Sequence, residues 1–172
     1  MEHPAIKILN LHRIMAISTV RPDGWPQTTI VGYANQGFDL IFLIYRSGQK
    51  FANIKRDDRI SIAVAAEPPD LNQLQAVYAS AHASEIVNES ERQEAWRQLM
   101  QRHSNLSGSQ LPNASEAVFM RARCQHVSML DFTQGLGHRE QFEVGRPAEP
   151  ATGESRIDSD HWGVSVSAEP AS

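Results

Sequence analysis

Residues 14–45, IMAISTVRPDGWPQTTIVGYANQGFDLIFLIY, decide the fold. The stretch 14–20 is β-branched and apolar, and RPDGWP (21–26) follows it as a turn with both Asp-Gly and Pro signals. QTTIVGYA (27–34) reads as a second strand, NQGFD (35–39) as a second turn, and LIFLIY (40–45) as a third strand. That third strand is apolar throughout, so both of its faces must be covered. Three strands at near-hairpin spacing make an antiparallel meander, which leans to a barrel or a sandwich.

The flanking segments extend this core. HPAIKILNLHR (3–13) places Ile6, Leu9 and His12/Arg13 at helical spacing, as a short lead-in helix. Residues 47–57 form a second short helix with Phe51 and Ile54 inward, followed by the strand RISIAVAA (59–66). EPPDLN (67–72) is a loop, because two prolines forbid strand pairing there. LQAVYASAHASEIV (74–87) alternates as a half-buried strand. NESERQEAWRQLMQRH (88–103) is the clearest helix, capped by Asn88 with Glu91 three residues on. Its buried stripe is Ala95 and Leu99, with Trp96 and Met100 beside them. Residues 104–115 are loop, and 117–132 supply one or two more strands. The domain spans residues 1–144. From Gly145 the apolar periodicity fades, and 145–172 read as an extension, disordered or packed on a partner. The sum is a mainly β chain, an antiparallel barrel decorated by helices.

Composition narrows the function. With 16 Lys/Arg against 20 Asp/Glu, the net charge of −4 argues against nucleic acid held on a broad basic surface, so any anion site must be local. The single cysteine, Cys124, excludes an internal disulfide and suits a buried residue in a reducing cytosol. No apolar run approaches about 18 residues and the N-terminus lacks a signal-peptide core, which points to a soluble, cytoplasmic protein with no membrane contact.

The familiar catalytic and nucleotide motifs are absent: there is no phosphate-binding loop, dinucleotide glycine motif, nucleophile elbow or zinc-protease helix. The histidines at 3, 12, 82, 103, 126, 138 and 161 are too dispersed in sequence to argue a metal site. What remains is the segment 44–59. A phosphate needs fixed cations, hydroxyl or backbone donors and preferably a helix N-terminus. Arg46, Ser47, Gly48 and Lys50 offer these together, whereas Lys55, Arg56 and Arg59 fit a solvated helix face and a strand flank. By chemistry alone, a solvated helix face is the commoner reading of such a cluster.

Residues 14–65, and more loosely 74–103, resemble the pyridoxamine 5′-phosphate oxidase-like, FMN-binding split-barrel family. The carrying residues are Ser18-Thr19-Val20 through Pro26, then Gly48-Gln49-Lys50-Phe51-Ala52-Asn53-Ile54, then Asp57-Asp58-Arg59-Ile60-Ser61-Ile62. The resemblance implies a six-stranded split β-barrel with flanking helices, usually a homodimer, with FMN at the subunit interface. It implies that Lys50 binds the FMN phosphate, assisted by Arg46 and Ser47, with Gln49 beside it. Ile44 and Tyr45 would lie along the ring or ribityl chain, and Thr28, Thr29, Ile30 and Val31 would present backbone and hydroxyl groups. Gln75 would come from the other subunit. The pattern's frequent Arg before the lysine is Gln49 here, its strand-end Thr is Ile44, and the second strand lacks a cation. These departures leave room for a deazaflavin coenzyme. The Arg-Leu-His-Asp-Arg type of element that grips the vitamin B6 substrate is also missing. The implied function is an FMN-dependent oxidoreductase of unspecified small-molecule substrate. The alternatives are a flavin or haem carrier, with His82, His126 or His138 as axial ligand, or a barrel that has lost its cofactor.

GLGHR, within 131–144, has two readings. His138 and Arg139 face the flavin edge or an anionic substrate, or they are exposed residues of a glycine turn. Tyr33, Tyr45 and Trp25 likewise read as packing or as a flavin stack.

Overall fold

The computed structural model describes residues 2–145; the expected extension beyond them, with HWGV at 161–164, lies outside the described residues. β1 (Ile14–Val20) and β2 (Pro26–Gln36) form the first hairpin, with Ala16 opposite Ile30. Its turn is closed by the Arg21 N–H donating to the Trp25 carbonyl at 2.9 Å, and Gly24 supplies the left-handed residue at φ +87°. β3 (Asp39–Tyr45) continues the meander after Gly37.

β4 (Arg59–Ala65), β5 (Gln75–Glu85) and β6 (Ala117–Asp131) complete a sheet ordered β3-β2-β1-β4-β5-β6, and β3 pairs with β6 to close it. The result is a six-stranded antiparallel barrel, as the sequence implied.

The fifteen-residue β6 serves two partners on one edge. Ala117–Arg123 pairs with β3, and His126–Leu130 pairs with β7 (Arg139–Glu143). The change occurs at Gln125, which has no partner in the β5 register. β7 was not expected from the sequence. Its REQFE offers one apolar residue, so no strand period is visible, and it forms because β6 outruns β3.

LIFLIY is apolar throughout for a structural reason. Leu40, Phe42 and Ile44 enter the barrel core beside Ile17, Tyr33, Ile62 and Met120. Ile41 and Leu43 face outward under α3 (Glu89–Arg102), with Trp96, Leu99 and Phe119. Asn88 caps α3 by accepting from the Ser90 and Glu91 N–H groups. α1 (Pro4–Leu11) covers the barrel with Ala5, Ile8 and Leu9, not with Ile6 and His12; His12 is already its C-cap. Tyr33 is wholly buried and donates to the Leu9 carbonyl at 2.7 Å, so it is packing, and burial pushes its hydroxyl up to about 12. Cys124 is buried too, and burial together with Asp39 raises its thiol to about 12.

The end of α3 is pinned to this frame. Arg102 donates to the Leu9 and His12 carbonyls and lies over the Tyr33 ring, 5.7 Å from its centroid. The His103 Nε2 meets the Tyr33 carbonyl at 3.0 Å, and its ring covers Gly32, where a Cβ would sit 2.9 Å from Cε1. Gly32→Ala should therefore displace the imidazole and cost about 1 kcal/mol, the worth of that hydrogen bond, in urea unfolding. In a His103→Ala background the same change should cost less than half as much. An equal cost in both backgrounds would show that the ring is not what excludes the methyl.

Candidate functional site

After β3 the chain turns into α2 (Gln49–Arg56). The Arg46 N–H donates to the Glu116 carbonyl at 2.8 Å, and the Gly48 N–H returns to the Tyr45 carbonyl at 3.1 Å. Gly48 is the N-cap with φ −79°, an ordinary value, so the position asks for room and not for flexibility. A Cβ there would lie 3.2 Å from the Tyr45 oxygen. The first helical bond is Ala52 N–H to Gly48 at 3.3 Å. The N–H groups of Gln49, Lys50 and Phe51 thus have no acceptor among the described residues, and no side chain caps the helix.

The two cations expected to act together are separated by their bonding. Arg46 donates from Nε to the Ala114 carbonyl at 2.7 Å, forms an ion pair with Glu85 at 2.6 Å, and lies over the Phe51 ring. Lys50 is half-buried and has no carboxylate within ion-pair distance among the described residues. Burial holds its ammonium below the usual lysine range. A partly desolvated cation and free N–H groups at a helix start are the chemistry that an anion site requires. Ser47 is exposed beside it, and Gln49 is turned to Asn53, donating at 2.8 Å.

β2 contributes an open edge. β3 pairs with it only from Tyr33 to Gln36, so the preceding residues have a strand on the β1 side alone among the described residues. Tyr33 donates to the Arg13 carbonyl, and Arg21 to the Trp25 carbonyl. Alternation then turns the N–H and C=O of Thr28 and Ile30 away from β1, toward the open side. Thr28 Oγ1 shares a 2.7 Å hydrogen bond with Ser18, while Thr29 Oγ1 is buried without a partner. Ile30 is exposed, Val31 packs on the core, Ile44 points into the barrel, and Tyr45 is exposed. Trp25 is exposed at the hairpin tip.

Other expected residues stand elsewhere in the same chain. Glu85, which holds Arg46, and Gln75 are the two ends of the eleven-residue β5, about 33 Å of strand apart. Gln75 hydrogen-bonds Asp131; burial would raise that carboxyl, but bonds from Thr133, Gln134 and Gln75 outweigh it and hold it low. His138 lies 3.3 Å from Glu140, next to Arg139 at the start of β7, after a turn whose Gly135 and Gly137 have positive φ. One chain alone therefore does not bring Gln75, His138 or Arg139 to Lys50. His82 pairs with Asp58 at 3.0 Å and His126 lies 3.8 Å from Glu143. No cluster of His, Cys, Asp and Glu among the described residues is arranged for a metal.

A cleft of about 330 Å³ lies under α3, lined by Gln36, Asp39, Glu91, Glu94 and Arg121, and it includes none of the site residues. Two residues of the Lys50 region were given no site role in the sequence, although Asn53 lies in the motif that carries the resemblance. Asn53 is completely buried in α2, and its three-residue spacing from Lys50 was the signal. Glu85 gave no signal, because only barrel closure brings it to Arg46. No helix among the described residues is long and apolar enough to cross a membrane.

The family model described as pyridoxamine 5′-phosphate oxidase matches residues 2–131. No curated protein matches the sequence. Among solved structures, the haem-binding protein from Mycobacterium smegmatis is similar at 18% identity and TM-score 0.69, over 81% of this chain and 56% of its own. The chain thus spans little more than half of that protein. An FAD-binding protein from Mesorhizobium loti is similar at 21% identity and TM-score 0.59, over 73% and 90%. HutZ, the haem storage protein from Vibrio cholerae, is similar at 18% identity and TM-score 0.57, over 73% and 92%. At these identities the likeness is one of fold.

The Lys50 environment has a thermodynamic signature. Its folded pKa lies below the unfolded value of 10.5, so the unfolded chain binds more protons between the two, and stability rises with pH across that window. At neutral pH the charged lysine is a net cost. Lys50→Met should raise the melting temperature of the ligand-free protein by roughly 1–2 °C at pH 7, with the gain fading as pH approaches the unfolded pKa. A lower melting temperature at pH 7 would mean that the ammonium has a stabilising partner.

Proposed function

We propose that this chain, which belongs to the pyridoxamine 5′-phosphate oxidase family, binds FMN non-covalently and works as an FMN-dependent oxidoreductase on a small-molecule substrate. One observation carries the reading: among the described residues, Lys50 is a half-buried cation without a carboxylate, at a helix start whose first N–H groups are unpaired. Those groups and Lys50 would hold the phosphate, with the Ser47 hydroxyl beside them. The Thr28 and Ile30 backbone at the open edge would meet the ring, and the unpartnered Thr29 hydroxyl is a donor and acceptor available to the ligand.

The flavin, when bound, supplies reversible uptake of a hydride or of electrons. The chain's own part is to bind, to orient and to exclude water. No side chain is assigned as acid or base. The protein acts as a homodimer with the cofactor at the interface, which lets Gln75, His138 and Arg139 approach from the second copy although they are remote within one chain. The vitamin B6 reaction itself is not proposed, because the element that grips that substrate is missing from the sequence.

A second reading is a haem or flavin carrier. It is favoured by the fold shared with two haem proteins, and by the carboxylates beside His82, His126 and His138, which would orient an imidazole toward iron. A deazaflavin-dependent reductase is favoured by the engagement of Arg46 with Glu85, which leaves Lys50 as the phosphate cation.

Titrating FMN into wild type and Lys50→Ala separates these. FMN binding should weaken about 10- to 100-fold in the variant, the loss of one charge-assisted hydrogen bond of about 1.5–3 kcal/mol. Riboflavin, which lacks the phosphate, should bind both equally. Equal FMN affinity would remove Lys50 from the phosphate site, and a Soret band on added haem, lost with one histidine, would favour the carrier.

A further inference from the structure

We infer that Asn53 is a positioning residue that sets α2, and with it Lys50, against the open edge of β2. The inference rests on the FMN reading above and assigns a role to a residue that touches no ligand.

Asn53 is 0% exposed in an eight-residue helix, a costly place for an amide unless every bond is made. Its Nδ2 donates to Thr19 Oγ1 and to Gln27 Oε1, each at 3.0 Å, and its Oδ1 accepts from Gln49 Nε2 at 2.8 Å. Thr19 and Gln27 are directly opposed in the β1–β2 register. One side chain therefore ties the helix to both strands of the first hairpin at once.

Packing alone would not do this. The inward face of α2 otherwise offers Ile54 and half-buried Phe51, and apolar contact is non-directional. An apolar residue of similar size at 53 could fill the volume while the helix turned or slid. It would also leave the nearly buried Thr19 hydroxyl short of a partner. The paired hydrogen bonds fix both the rotation and the height of α2. Lys50 lies one turn earlier on the same face, and Thr28 follows Gln27 directly on β2. Asn53 thus fixes the span between the phosphate-binding end and the ring-binding end of the site. Gln49, where the family pattern often carries Arg, orients the Asn53 amide by occupying its oxygen.

The role predicts a change in discrimination, not a general loss. FMN and riboflavin dissociation constants are measured by flavin fluorescence for wild type, Asn53→Leu, Thr19→Val and Lys50→Ala, with urea unfolding of each. The FMN-over-riboflavin preference should fall at least about tenfold in Asn53→Leu and by a smaller factor in Thr19→Val, which removes one of the two strand bonds and guards against a misfolded Asn53 variant. Riboflavin affinity should stay within about twofold of wild type, and Thr19→Ser should retain the preference. If both ligands weaken equally, or Thr19→Val leaves the preference intact, Asn53 is only structural and the inference fails, even with Lys50→Ala still losing its preference. If Lys50→Ala keeps the preference, the phosphate reading fails first, and the role of Asn53 falls with it.

Discussion

The pairing of Asp39–Tyr45 with Ala117–Arg123 closes the barrel, and it does so between strands far apart in the chain. β3 is only seven residues long and is shared between β2 and β6. All seven of its residues pair with β6 and only the first four also pair with β2, which leaves the β2 edge from Thr28 to Ile30 without a strand partner among the described residues. At its other end β6 runs past β3 and recruits β7 in its place. The added β7 follows from the greater length of β6, whereas the open β2 edge arises because residues 43–45 stay on β6 and leave β2.

α2 packs on β1 and β3, and a polar residue ties it to the β1–β2 hairpin. Backbone that lacks a strand partner must be satisfied by something else, water or a ligand included. α2 brings three further N–H groups and a lysine to the same part of the fold. A polar latch at Asn53 is suited to a binding site, because the geometry at its mouth matters more than the area it buries.

The electrostatics of the site come from how the chain divides its cations. Arg46 is consumed by Glu85 and the Ala114 carbonyl, and those bonds anchor the end of β5 and the loop before β6 to the end of β3. Lys50 receives no such partner among the described residues and is left partly desolvated. An ammonium held in that way lowers stability slightly, a cost that functional sites typically carry. The exposed ion pair Arg97–Glu94 contributes little, being solvated on both sides.

How much of this was legible depended on the range of the interaction. The first three strands, the long helix with its Asn88 cap, and Lys50 at a helix start were readable, because periodicity, turn chemistry and capping act within a few residues. The double burial of LIFLIY was readable as a need, though not as a barrel lumen on one side and α3 on the other. β7 was not, since a short charged strand carries no period of its own and exists only where β6 offers an edge. Arg46 looked as available as Lys50, for the same reason: its partner Glu85 is 39 residues away and arrives only when the barrel closes. Asn53 stood in plain view at helical spacing from Lys50, but its bonds to Thr19 and Gln27 span 34 and 26 residues. The sequence by itself determined the first strands, the long helix and the cation at the helix start, because local forces set them. Which polar groups would be paired, and which left for a ligand, was decided only by the tertiary structure, because closure of the sheet chooses the partners.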